Sequence, residues 1–220
     1  MRAGIAAGLK ELFLQRRLSF LGVFCYINQY HLCMNAEVNK ALAVLEAGGT
    51  ILYPTDTVWG LGCDATNEAA VQKLFDIKER PAEKSFVILL PDVKSVLAYV
   101  ANPVPDLMGL LKSFERPTTV VYPQAVGIAA AALPADGSAA IRVTADPFCK
   151  MLLKRFKKPI IATSANISGA PTPRFFAEVS DEIKQRVDYI VQHRQDDREM
   201  NAPSRIVKIH EDGSMTVIRD

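Results

Sequence analysis

The chain contains no C-x-x-C pair, and its four cysteines, Cys25, Cys33, Cys63 and Cys149, show no spacing of a disulfide framework. With three scattered histidines, His31, His193 and His210, they complete no zinc-type ligand set. They read as buried free thiols in a reducing compartment. Also missing are the phosphate-binding loop G-x-x-x-x-G-K-[ST], the dinucleotide fingerprint G-x-G-x-x-G and the nucleophile elbow G-x-S-x-G. Any phosphate here must be held by another device, and an elbow serine is excluded as nucleophile. The apolar stretch LSFLGVFCYI is too short to span a membrane.

What remains is a 220-residue chain, 49% apolar and 23% charged, which suits one domain with a sizeable core. Before Asn35 there are four basic residues, Arg2, Lys10, Arg16 and Arg17, against Glu11 alone. Since the whole chain carries +2, residues 35–220 sum to −1, so any RNA contact needs a local patch. No small-residue cleavage pattern follows the apolar stretch. We expect residues 1–34 to be a leader, disordered or arising from a misassigned start, and residues 35–220 to form the domain.

From Asn35 onward helical and strand patterns alternate. EVNKALAVLEA has helical period, with Asn35 as a cap and Gly48–Gly49 as the stop. Strand patterns TILYP, FVILL, TTVVYP, AAIRV and PIIATS are interleaved with helical NEAAVQKLFDIKER, DVKSVLAYV, VPDLMGLLKSF and DPFCKMLLKRF, Asn67 and Asp146 standing at helix starts. AVGIAAAALPADGS reads as a loop with one irregular turn. A helix at SDEIKQRV and short strands DYIVQ, SRIVKI and MTVIR follow. The pattern predicts a single α/β domain: a twisted, open, mixed β-sheet covered by helices.

Four stretches place polar groups at strand ends. YPTDTVWGLG sets Thr57 after a buried strand, with glycines that permit close approach, although a proline-initiated turn would look the same. IKERPAEKS puts Lys78, Arg80 and Lys84 where a helix ends, able to converge on an anion or simply to be solvated there. Arg142 inside AAIRV demands either an ion pair or an anionic ligand. TSANISG presents Ser164 and Asn166 as a turn or as one wall of a site.

Taken in order, PTDTVWGLG, KERPAEK, the isolated strand arginine, TSANISG and PSRIV resemble the YrdC family over about residues 36 to 209. That resemblance implies a YrdC-like fold and the activity of the threonylcarbamoyl-AMP synthases within the family. Such an enzyme joins L-threonine, bicarbonate and ATP into threonylcarbamoyl-AMP and pyrophosphate. Partner proteins then pass the threonylcarbamoyl group to a tRNA adenosine. The resemblance implies that Thr57, Arg142, Ser164 and Ser204 hold threonine. It gives the nucleotide phosphates to Arg80, Lys84 and Asn166, with Lys78 adding positive potential, Ser138 as a further candidate and Mg²⁺ assisting. It also implies a cytoplasmic enzyme with no membrane contact. The chain departs from the family pattern at Leu89, Arg116, Thr144 and Arg205, and lacks a glycine pair before PSRIV. The competing reading is a non-catalytic member that binds tRNA, double-stranded RNA or the ribosome.

Overall fold

The computed structural model describes residues 29–81, 85–198, 202–210 and 212–220. The chain divides into two units, residues 1–37 and 38–220. In the first, residues 29–37 are helical. Asn35 is therefore not a helix cap; its side-chain amide donates to the His31 carbonyl, 2.8 Å away, one turn earlier in the helix. Residues 1–28 of the expected leader lie outside the described residues.

The second unit opens with helical residues 38–46, here α1. The helix closes as expected: Gly48 takes φ +72°, its N–H donates to Leu45 and that of Gly49 to Val44, at 3.0 and 2.8 Å. A residue with a Cβ would pay for that left-handed turn. There follow β1 (Ile51–Tyr53), β2 (Gly60–Gly62), α2 (Glu68–Lys78), β3 (Val87–Leu90), α3 (Val93–Val96), α4 (Leu107–Lys112), β4 (Thr118–Tyr122) and β5 (Ala139–Val143). Then come α5 (Pro147–Phe156), β6 (Ile160–Ser164), α6 (Asp181–Arg186), β7 (Tyr189–Ile190), β8 (Arg205–Ile209) and β9 (Met215–Arg219). Asn67 and Asp146 cap α2 and α5 as expected, each accepting the amide three residues on.

Nine described strands form one sheet in the order β7-β1-β2-β6-β3-β5-β4-β8-β9. Pairs β1/β7, β3/β5 and β4/β8 are parallel and the others antiparallel, so the sheet is mixed. Alternation assigns the faces. Leu52, Leu61, Ile88, Leu90, Val120, Ile141 and Ile161 join the buried side of α2 (Val71, Leu74, Phe75) in one large core. The opposite face carries Tyr53, Leu89, Thr119, Arg142 and Ser164.

The glycine-rich end of YPTDTVWGLG, a stretch expected to be a loop, is a strand, β2. The space explains it. A Cβ on Gly62 would lie 2.7 Å from both the Ile161 carbonyl oxygen and the Tyr53 ring, while the Tyr53 hydroxyl donates to that same carbonyl at 3.1 Å. Gly62→Ala is expected to cost about 1–3 kcal/mol in urea unfolding by overpacking; an unchanged midpoint would show that both the ring and the Ile161 backbone give way freely.

Candidate functional site

Strand alternation turns Arg142 away from the large core, between Leu89 on β3 and Thr119 on β4, each in register with it. Arg142 is only 5% exposed. One terminal nitrogen donates to Thr57 Oγ1 at 2.9 Å, the other lies 3.5 Å from Asp56 Oδ1, and Nε has no partner among the described residues. Thr119 Oγ1 and Ser204 Oγ are 2.8 Å apart beside it. Three of the four predicted threonine residues, Thr57, Arg142 and Ser204, are thus tied to Arg142 or to its neighbour Thr119.

The loop between β1 and β2 reaches Arg142 across two intervening strands, β6 and β3. Thr55 Oγ1 accepts from the Thr57 N–H and donates to the Val58 carbonyl, which sets the turn. Asp56 Oδ2 accepts from the Ala145 N–H at 2.8 Å and from Thr144 Oγ1 at 3.2 Å. Arg194, in the left-handed region at φ +65°, bridges Asp146 Oδ2 and the Thr55 carbonyl and so pins the loop to the start of α5.

The departures from the family pattern have local reasons. Thr144 donates its N–H to Leu90, which a proline could not do, and its hydroxyl to Asp56. Arg116 and Arg205 both meet the Asp220 carboxylate. Leu89 is fully buried beside Arg142. Arg194 occupies the segment that lacks the glycine pair.

A second group gathers at the ends of β3, β5 and β6. Val87 pairs with both Ala140 and Ala162. Extending that register by two residues brings Ser85, Ser138 and Ser164 to one level, about 13 Å along β5 from Arg142. The Ser164 hydroxyl has no partner among the described residues, whereas Ser138 donates its N–H to Asp136. Asn166 donates to the Ile167 and Ala170 carbonyls at 3.0 and 2.7 Å, leaving Oδ1 buried and unpartnered.

Lys78 is not a solvated helix end. It is 1% exposed, and its ammonium donates to the Ser164 and Asn166 carbonyls at 2.5 and 2.6 Å. Burial, and then the Arg80 charge, push its pKa down to about 7. Arg80 is half-buried, not exposed as its place in a loop suggests: it donates to the Ser85 carbonyl at 2.7 Å and stacks on Phe86. Burial lowers its pKa too. Lys84 lies outside the described residues.

Sequence reasoning chose none of Thr55, Asp56, Thr119 and Arg194 as site residues, and read Asp56 as a turn residue bonding its own backbone, whereas it bonds Ala145 and Thr144. The paired threonines of TTVVY were a usable signal for Thr119, whereas nothing local marks Arg194. A cavity of about 260 Å³ under α3 and α4 is lined by none of the predicted site residues. Arg80 borders an open hollow of about 660 Å³ beside Phe75 and Leu133.

An open mixed sheet with a guanidinium buried in an interior strand, and hydroxyls and cations at the strand ends, defines an α/β domain suited to an anionic ligand. The chain belongs to the Sua5/YciO/YrdC family: residues 43–220 match the family model, which carries the description "Telomere recombination". It is 35% identical over 159 residues to a threonylcarbamoyl-AMP synthase of Pseudoalteromonas translucida, covering 71% of this chain and 85% of that protein. A threonylcarbamoyl-AMP synthase of Xanthomonas euvesicatoria is 31% identical over 187 residues, or 84% of this chain and 97% of the relative. The fold matches P. abyssi Sua5 complexed with L-threonine at TM-score 0.72 and 24% identity, over 83% of this chain and 53% of that one.

If Asp56 is held by Arg142, removing the cation strands a largely buried acid. Arg142→Met is expected to cost about 3 kcal/mol in denaturant unfolding, and Asp56→Asn in the same chain should recover part of it. Strictly additive losses would show that the pair is not coupled.

Proposed function

We propose that the chain is an L-threonylcarbamoyladenylate synthase, a nucleotidyltransferase that makes threonylcarbamoyl-AMP and pyrophosphate from L-threonine, bicarbonate and ATP. One observation carries the reading. Arg142 is buried with an unmet Nε–H, in a setting of hydroxyls from Thr57, Thr119 and Ser204. A ligand carboxylate satisfies that donor and supplies the charge that Asp56, at 3.5 Å, only half provides. The hydroxyls suit the polar side chain of threonine.

The nucleotide would lie at the strand ends, where Arg80, Ser138 and Asn166 gather, with Lys84 four residues after Arg80 in the sequence, and Ser164 beside them would face threonine. The carbamate formed on the threonine amine attacks the α-phosphorus, a P–O bond forms, and the bond to pyrophosphate breaks. Arg80 offsets charge on the phosphates, and catalysis is chiefly positioning. Among the described residues no group of three or more His, Cys, Asp or Glu could hold a metal ion. The chain's described side chains do not form a Mg²⁺ cage, and the ion would arrive on the phosphates of its nucleotide. Among the described residues no helix is long and apolar enough to cross a membrane. We place the reaction in the cytoplasm, where free Cys63 and Cys149 stay reduced and partner proteins would pass the threonylcarbamoyl group to tRNA.

Purified protein given ATP, bicarbonate and threonine should release pyrophosphate only when threonine is present. Release with a different amino acid would redirect the substrate, and RNA binding without ATP binding would favour a non-catalytic role. Arg80→Ala should lower turnover at least about 100-fold at a stability cost of about 1–2 kcal/mol, since its losses include the hydrogen bond to Ser85 and the contact with the Phe86 ring. Ser164→Ala should raise the threonine KM several-fold with the melting temperature unchanged; a large thermal shift would make Ser164 structural.

A further inference from the structure

Lys78 faces inward, toward the turn after β6. Its ammonium donates to the carbonyls of Ser164 and Asn166, and its own carbonyl accepts from the Ser168 N–H at 2.8 Å. Both ends of one residue therefore grip the turn that carries two predicted ligand groups. We propose that Lys78 is a positioning residue, a proton-dependent clasp that holds the Ser164–Ser168 turn in its ligand-ready shape and takes up its proton as an anion binds.

The chemistry is direct. A charged ammonium makes hydrogen bonds roughly twice as strong as a neutral amine. Its folded pKa of about 7 puts the switch within the working range. Arg80 faces it from the end of α2, and on the α6 side Arg186 donates to the Ile77 carbonyl at 3.2 Å, with Glu79 and Glu182 paired to that same guanidinium. From β6 it meets only backbone carbonyls among the described residues. An anion beside Arg80 and the turn would favour the charged lysine and raise its pKa. For a nucleotide this rests on the synthase reading; for the turn itself it does not.

Global stability must move the other way. The unfolded chain keeps this proton to about pH 10.4 and the folded chain only to about 7, so across that window Lys78 makes stability rise with pH while the turn loosens.

The experiment uses the whole protein with labelled lysine carbons and backbone amides, followed by NMR from pH 6 to 9. Lys78 should titrate near 7, and the amide nitrogens of Ala165 and Ile167, which report the two gripped carbonyls, should shift with the same midpoint. In Lys78→Arg, which keeps its charge, that titration should vanish. Calorimetry of Mg–ATP binding near pH 8, in buffers of different ionisation enthalpy, should show uptake of about one proton, with affinity falling roughly tenfold per pH unit above the midpoint. A Lys78 that titrates near 10, or turn amides that stay flat while it titrates, would overturn the clasp. A coupled titration in a protein that binds neither ATP nor threonine upholds the clasp and sinks the synthase reading instead. If Lys78→Met fails to fold, the wild-type titration still decides.

Discussion

A guanidinium on an interior strand has to be met by acceptors, and much of this molecule is arranged around that need. Arg142 cannot be solvated at its place in β5, because Leu89 and Thr119 flank it and the sheet continues on both sides. The β1–β2 loop is drawn over two strands to supply Thr57 and Asp56. Asp56 in turn is held by Thr144 and Ala145, and Arg194 ties the loop to the cap of α5. Yet among the described residues the set stops one acceptor short at Nε.

A second buried cation works on a different principle. Lys78 meets backbone carbonyls alone, so its charge is spent on shape and not on charge neutralisation. Arg142 and Lys78 thus differ: one keeps an unmet donor among the described residues, the other is bonded to the turn after β6. Arg142 sits on the face of the sheet opposite the large apolar core, whereas Lys78 ends α2, the helix that packs on that core. On the Arg142 face the small residues Gly60, Gly62, Ala140 and Ala162 leave room, and the Tyr53 ring fills the space over Gly62.

Much of this was legible beforehand. The strand patterns AAIRV and PIIATS are strands at those bounds or within one residue of them, and Asn67 and Asp146 cap helices, because period and cap chemistry are local properties. Gly-Leu-Gly failed as a strand signal because its reason is a tyrosine ring seven to nine residues earlier. Asn35 failed as a cap because nothing in its own neighbourhood ends the helix there.

The sequence by itself determined the α/β alternation, the isolated strand arginine and the polar strand ends, since each depends on residues within one or two turns of chain. Only the tertiary structure decided which charge does what. Lys78 and Arg80 look alike in a helix-end run of basic residues. Burial against the turn at Ser164, 86 positions away, ties Lys78 to backbone carbonyls and leaves Arg80 half-buried beside the strand ends. Electrostatic roles depend on solvent exposure and on partners distant in sequence, and neither is written in the order of the residues.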